Sequence, residues 1–180
     1  MGYRSNIAYL IAFPNDEELA SFLAQAKALS GQPIDTNDAK ILHEQRFDNR
    51  GSLPAEWGRM DLALNECGMR WQKNNHQTPY IGFYAEGAKW YDGHQDVEAH
   101  ESLVNLAIAH YYQGGSKTTY LNGTSFTCSM IAYQYLRIGE HEDDTTGFER
   151  GTSMMLGSFG TERKIWRTIG FKDTTDLELR

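Results

Sequence analysis

Apolar residues first concentrate at Asn6 to Phe13, where Ile7, Ala8, Tyr9, Leu10, Ile11 and Ala12 form a nearly unbroken run before Pro14. A run this short, apolar on both alternating sides, predicts a strand buried on both faces. Pro14-Asn15-Asp16 follows, with Asn15 or Asp16 placed to cap a helix and Glu17 and Glu18 in its first turn. Leu19, Phe22, Leu23, Ala26 and Leu29 then recur at three- and four-residue steps, and Gly31 and Pro33 mark the stop, so a helix is predicted to about Leu29.

From Gln32 to Gln77 the pattern weakens. Ala39 to Phe47 fits a short helix or a strand. Arg59 to Glu66 reads as a strand, because Met60, Leu62 and Leu64 alternate with Asp61, Ala63 and Asn65. Arg70 to Gln77 is polar and reads as a loop. Regularity returns at Tyr80 to Ala85, a strand that Ala88 to Tyr91 either continues or pairs back onto, and Asp92-Gly93 turns the chain out of the sheet. Asp96 is the expected N-cap of a second helix carrying Val97, Val104, Ala107, Ile108 and Tyr111 on one side and ending near Gly114-Gly115.

Ser116 to Cys128, with Asn122-Gly123 inside it, predicts a hairpin tip or exposed loop. Ser129 to Ile138 predicts a central strand, and Gly139 to Asp144 an acidic turn. Ser153 to Phe159 and Arg163 to Phe171 predict a closing hairpin, with Asp173 to Arg180 frayed. The order strand, helix, mixed segment, strands, helix, strands predicts one α+β domain over 1–180, less regular at 32–78 and with a loop insert at 114–128. Its sheet is expected to be mostly antiparallel with two helices on one face, a ferredoxin-like topology being favoured.

Composition narrows the function classes. A net charge of -7 with 17 Lys and Arg, scattered along the chain, argues against direct nucleic-acid binding. No apolar run reaches the roughly 18 residues of a membrane span, and the first residues lack the basic-then-apolar order of a signal peptide, so a cytoplasmic location is expected. Cys67 and Cys128 are far apart without a CxxC spacing, which implies reduced thiols rather than a zinc ribbon or a disulfide framework. Each is also a nucleophile candidate, the more common fate of such a thiol being burial as a small apolar group.

Candidate chemistry gathers between Tyr80 and Tyr112. Lys89, Trp90, Tyr91 and Asp92 put a cation, two large rings and a carboxylate at a strand end, a composition that suits protein recognition, and alternation sets Trp90 opposite Lys89 and Tyr91. Glu140, Glu142, Asp143 and Asp144 supply an acidic patch without the one-three-five ligand spacing of a calcium loop. A divalent metal held by Asp92, His94, Asp96 and His100 is the alternative, since Asp96 and His100 are four residues apart and share a helix face. No cofactor is called for.

Three blocks, MGYRSN before the first strand, AEGAKWYDGHQDVEA and YLRIGEHEDD, resemble a family of small, mostly uncharacterised phage and prophage proteins with a Met-Gly-Tyr-Arg-Ser opening, a Lys-Trp-Tyr-Asp motif and an Arg-Ile-Gly-Glu motif running into acidic residues. Here these are Met1 to Ser5, Lys89 to Asp92 and Arg137 to Glu140 with Glu142 to Asp144, and Asp96-Val97 opens the helix after the second motif. The resemblance implies a phage accessory protein in the bacterial host cytoplasm that binds a host or phage protein without catalysis. A metal-dependent enzyme or nucleotide-binding protein using Asp92 to His100 is the rival expectation.

Overall fold

The computed structural model describes residues 4–45, 52–70, 79–114, 117–119, 122–123, 125–127, 131–139 and 145–151. The first strand, β1 (Ser5–Ala12), is followed by α1 (Asp16–Leu29), α2 (Thr36–Gln45), α3 (Met60–Glu66), β2 (Gly68–Arg70), β3 (Tyr80–Ala88), α4 (Gln95–Gln113), β4 (Lys117–Thr119), β5 (Ser125–Thr127), β6 (Ala132–Ile138) and β7 (Thr145–Arg150). The main sheet has five strands in the order β2-β3-β1-β6-β7, with every neighbour antiparallel, and β4 pairs with β5 in a separate hairpin. The predicted mixed α+β class with an antiparallel sheet is what the chain adopts.

That order has a direct topological meaning. β1 and β2 run parallel on either side of β3 and are joined through α1, α2 and α3, while β3 and β6 run parallel on either side of β1 and are joined through α4. Two split β-α-β units therefore interlock through β1 and β3, the arrangement on which a ferredoxin-like reading rests.

β1 is buried on both faces, as its continuous apolar run requires. Ile7, Tyr9, Ile11 and Phe13 belong to the core that includes the buried residues of the helices, and Leu10 and Ala12 on the opposite face are sealed as well. Each large side chain so buried contributes about 1.5–3 kcal/mol through removal of apolar surface from water. Registers pair Tyr9 with Phe83 on one side and Tyr135 on the other, and Ile11 with Ile81 and Tyr133, so one row of rings and branched chains crosses the sheet.

The helix α1 begins where its sequence specifies, the Asn15 side chain accepting a hydrogen bond from the Glu18 backbone N–H at 2.9 Å. Four helices, rather than the two expected, are present among the described residues. The additional pair comes from the weakly patterned region: of the Ala39 to Phe47 segment, the described part to Gln45 lies in the helix α2, and Met60–Glu66 is a helix instead of the strand expected over Arg59 to Glu66. In α3 the buried residues are Met60, Ala63 and Leu64, at helical steps, while Leu62 is 43% exposed. The alternation counted Leu62 as inward and Ala63 as outward. Tertiary packing reverses both, because the Asp61 N–H is bonded to the Ser30 hydroxyl after α1 and Ala63 lies buried in the helix layer. Arg59 pairs with Asp61 at 2.6 Å and holds its carboxyl down at about 2.

The strand predicted over Tyr80 to Ala85 continues to Ala88 as one strand. α4 starts at Gln95, so Asp96 lies in the first turn and is not the N-cap. His94 holds that position in extended backbone without a side-chain capping bond. β7 was not anticipated, since Thr145 to Arg150 carries little apolar signal. It is defined by pairing with β6 from Ile138↔Thr145 to Tyr133↔Arg150. The predicted strands at 153–159 and 163–171, the tail at 173–180 and most of the Arg70–Gln77 loop lie outside the described residues.

Polar side chains on α4 tie the helix layer together. His110 Nε2 and Gln25 Oε1 are 2.6 Å apart, joining α4 to α1, and the Gln113 amide donates to Asp38 of α2. Trp57 and Gly58 thread between them, the Gly58 N–H donating to the Ser102 hydroxyl at 2.8 Å.

Two predictions come from this packing. A Cβ at Gly58 would stand 2.5 Å from the Glu98 carbonyl oxygen on α4. Gly58→Ala is expected to lower unfolding free energy in urea by about 1–3 kcal/mol, the usual cost of overpacking. Burial also drives the His110 pKa from 6.5 down to about 4. The unfolded chain therefore takes up a proton in that window that the folded chain refuses. The His110 contribution is fully present above pH 6.5 and is lost as pH falls toward 4, so urea midpoints should decline across that interval. The slope should lessen in His110→Gln.

Candidate functional site

Two groupings involve the residues singled out in the sequence, one at the surface and one in the core. The surface grouping is the loop Lys89 to His94 that carries the chain from β3 into α4. Trp90 is buried against Phe83 with ring centroids 6.2 Å apart, while Lys89, Asp92 and His94 are exposed and Tyr91 is half-buried. The expected opposition of Trp90 to its neighbours is thus what the structure holds. Tyr91 and His94 face one another with centroids 5.6 Å apart, and the His94 N–H donates to the Tyr91 carbonyl at 3.3 Å. Gly93 permits this tight turn by adopting φ of 83°, in the left-handed region. At the far side of the same strand end, Gly87 (φ 61°) donates to the Asn6 side chain at 2.7 Å and its carbonyl accepts from Arg4 at 2.6 Å, fixing the base of the loop to β1.

The core grouping centres on His100. This residue does not join Asp92, His94 and Asp96 around a shared space. Those three are exposed, whereas both ring nitrogens of His100 are engaged inside: Nδ1 lies 2.7 Å from the Tyr9 hydroxyl and Nε2 3.2 Å from Glu66 Oε2. The Tyr9 oxygen is also 3.2 Å from Cys67 Sγ. The reason for the separation is helical geometry. Asp96 and His100 are one turn apart, but α4 enters the core within that turn, with Val97, Ala99 and His100 buried and Asp96 still in solvent. Among the described residues, no three His, Cys, Asp or Glu side chains gather as a metal site.

Electrostatics in the core follow burial. Tyr9, fully enclosed, has its hydroxyl pKa pushed well above the ordinary range by desolvation, with Cys67 and Glu66 adding to the effect. Burial raises the Cys67 thiol to about 12, so at neutral pH it is a protonated, unreactive group. Burial lowers His100 below 6.5, partly offset by Glu66 and Asp96. The imidazole lies against Phe83 with centroids 3.9 Å apart and has Trp90 at 5.7 Å. The Trp90 indole N–H has no hydrogen-bond partner among the described residues.

Tyr9 and Glu66 escaped the sequence reading as members of this cluster. Tyr9 looked like one more apolar position, yet a tyrosine in a strand buried on both faces requires a partner for its hydroxyl, and that requirement was the available signal. The acidic turn, Glu140 and Glu142 to Asp144, and Cys128 lie outside the described residues. Among those described, no helix is long and apolar enough to cross a membrane.

Tyr9→Phe removes the hydroxyl that serves both His100 and Cys67. Chemical denaturation at neutral pH should show a loss of about 1–3 kcal/mol, the cost of leaving a buried polar atom unmatched. An unchanged midpoint would mean that the hydroxyl bonds contribute nothing to the folded state.

Compared with protein-family models, with curated proteins and with solved structures, the chain matches none.

Proposed function

We propose that the chain is a phage accessory protein that binds a host or phage protein, without catalysis, through the Lys89–His94 loop. The observation that carries this reading is the Tyr91–His94 ring pair, held at the surface beside exposed Lys89 and Asp92 by a loop whose Trp90 is sunk in the core. An aromatic group that is already oriented loses little freedom on binding, so more of its contact free energy appears as affinity.

Two further features support it. The net charge of -7 favours a partner with a basic surface, by steering encounter. The resemblance to phage proteins rests in part on the same Lys-Trp-Tyr-Asp segment, which links the source to the loop. Glu140, Glu142, Asp143 and Asp144 belong to the proposed acidic contribution through their sequence alone.

Capture from phage-infected host lysate, with tagged wild type beside the double variant Tyr91→Ala, Asp92→Lys, tests the reading. Wild type should enrich a defined protein that then binds the purified chain directly, and the variant should weaken that binding at least tenfold, about 1.4 kcal/mol or more. Equal recovery by both, or nothing above background with wild type, would overturn it. Neither substitution touches the core, so thermal unfolding should match within about 0.5 kcal/mol.

A further inference from the structure

The Glu66–His100–Tyr9–Cys67 chain is independent of the binding reading, and its donors and acceptors determine one another. A carboxylate only accepts, so His100 Nε2 carries a proton and donates to Glu66 across 3.2 Å. A neutral imidazole has one N–H, which makes Nδ1 an acceptor and requires the Tyr9 hydroxyl, 2.7 Å away, to donate to it. With its proton so placed, the Tyr9 oxygen accepts from the Cys67 thiol at 3.2 Å. The neutral state has a single order: S–H to hydroxyl, hydroxyl to Nδ1, Nε2–H to carboxylate.

One added proton on His100 reverses this order. Both ring nitrogens become donors, so Nδ1 no longer accepts from the Tyr9 hydroxyl; for the two to stay in contact the Tyr9 oxygen would have to accept from Nδ1 and its own O–H would have to turn toward the Cys67 sulfur. The thiol proton is then left without an acceptor. The new charge sits among Phe83, Trp90, Tyr9 and Cys67, none of which is charged. The groups of opposite sign facing it are Glu66, at the end of α3, whose side chain is 58% exposed, and Asp96 in the first turn of α4. Both lie toward solvent.

The geometry points to a proton-operated latch: neutral His100 ties α4 to the α3–β2 corner and to β1, and protonated His100 is drawn outward to Glu66, releasing Tyr9 and unsealing Cys67. Because burial lowers the His100 pKa below 6.5, the latch is closed at neutral pH and opens as pH falls below that value. This is a conformational device in the fold, one that changes the environment of Cys67 without requiring the thiol to react in its closed state.

The readout is labelling of Cys67 by 4,4′-dithiodipyridine, a reagent that reacts in mild acid, with peptide mass spectrometry separating Cys67 from Cys128. Between about pH 7.5 and about pH 5 the Cys67 rate, normalised to an unstructured cysteine peptide, should rise by about tenfold or more, the protonated fraction growing about tenfold per pH unit while the imidazole is mostly neutral. Circular dichroism should stay constant over that range. Glu66→Gln, a change at an exposed side chain, should move the rise to lower pH by weakening the attraction for the imidazolium, and His100→Gln should abolish it. A flat wild-type profile, a rise that coincides with global unfolding, or the same rise in Glu66→Gln would overturn the latch. Nitrogen NMR at neutral pH gives an independent check: the Nε2–H tautomer of His100 is required, and the Nδ1–H tautomer would overturn the assignment.

Discussion

The structure depends on satisfying one hydroxyl in the middle of its central strand. β1 is flanked by β3 and β6 and is buried on both faces from Ile7 to Ala12, a stretch in which a side chain is best accommodated when apolar or internally partnered. Tyr9 is the one polar side chain between Ile7 and Ala12, and its oxygen reaches His100 of α4 and Cys67 between α3 and β2. The partners of that one group bring three separated segments to a common point. The cost of leaving the hydroxyl unmatched in this interior, about 1–3 kcal/mol, favours the arrangement.

α4 explains why the chemistry divides as it does. The helix is buried from Ser102 to His110 without interruption, so its polar side chains serve as internal connectors: His100 to Glu66 and Tyr9, Ser102 to Gly58, His110 to Gln25. Apart from half-buried Glu101, its first turn and its end are what reach solvent, with Asp96 and Glu98 at one end and Tyr111 and Tyr112 at the other. A cluster that looks continuous along the sequence from Asp92 to His100 is therefore cut in two by the surface of the protein. The part before the cut is a ring-bearing loop at the surface, and the part after it is a hydrogen-bond chain that runs into the core.

Several elements were legible because their signals are local. The two-sided apolar run specified β1, Asn15 and the acidic first turn specified the start of α1, Asn122-Gly123 marked the β4–β5 hairpin, and Gly114 marked the end of α4. The antiparallel α+β class followed from their order. Trp90 could be set apart from Lys89 and Tyr91 by alternation alone. The loop proposed for binding was legible to that extent, as a composition at a strand end.

What the sequence by itself determined, then, is the set of elements whose ends carry capping, turn or two-sided apolar signals. Tertiary structure alone decided the remainder, because the deciding contacts span long separations. α3 is a helix because Ala63 rather than Leu62 faces the core, β7 is a strand because β6 offers it a ladder, and Asp61 is anchored by Ser30 across 31 positions. The separation of His100 from Asp92, His94 and Asp96 is of the same kind. Helical spacing told that Asp96 and His100 share a side of α4, but where that side passes from water into the core depends on Tyr9, 91 positions from His100, and on Glu66, 34 positions away.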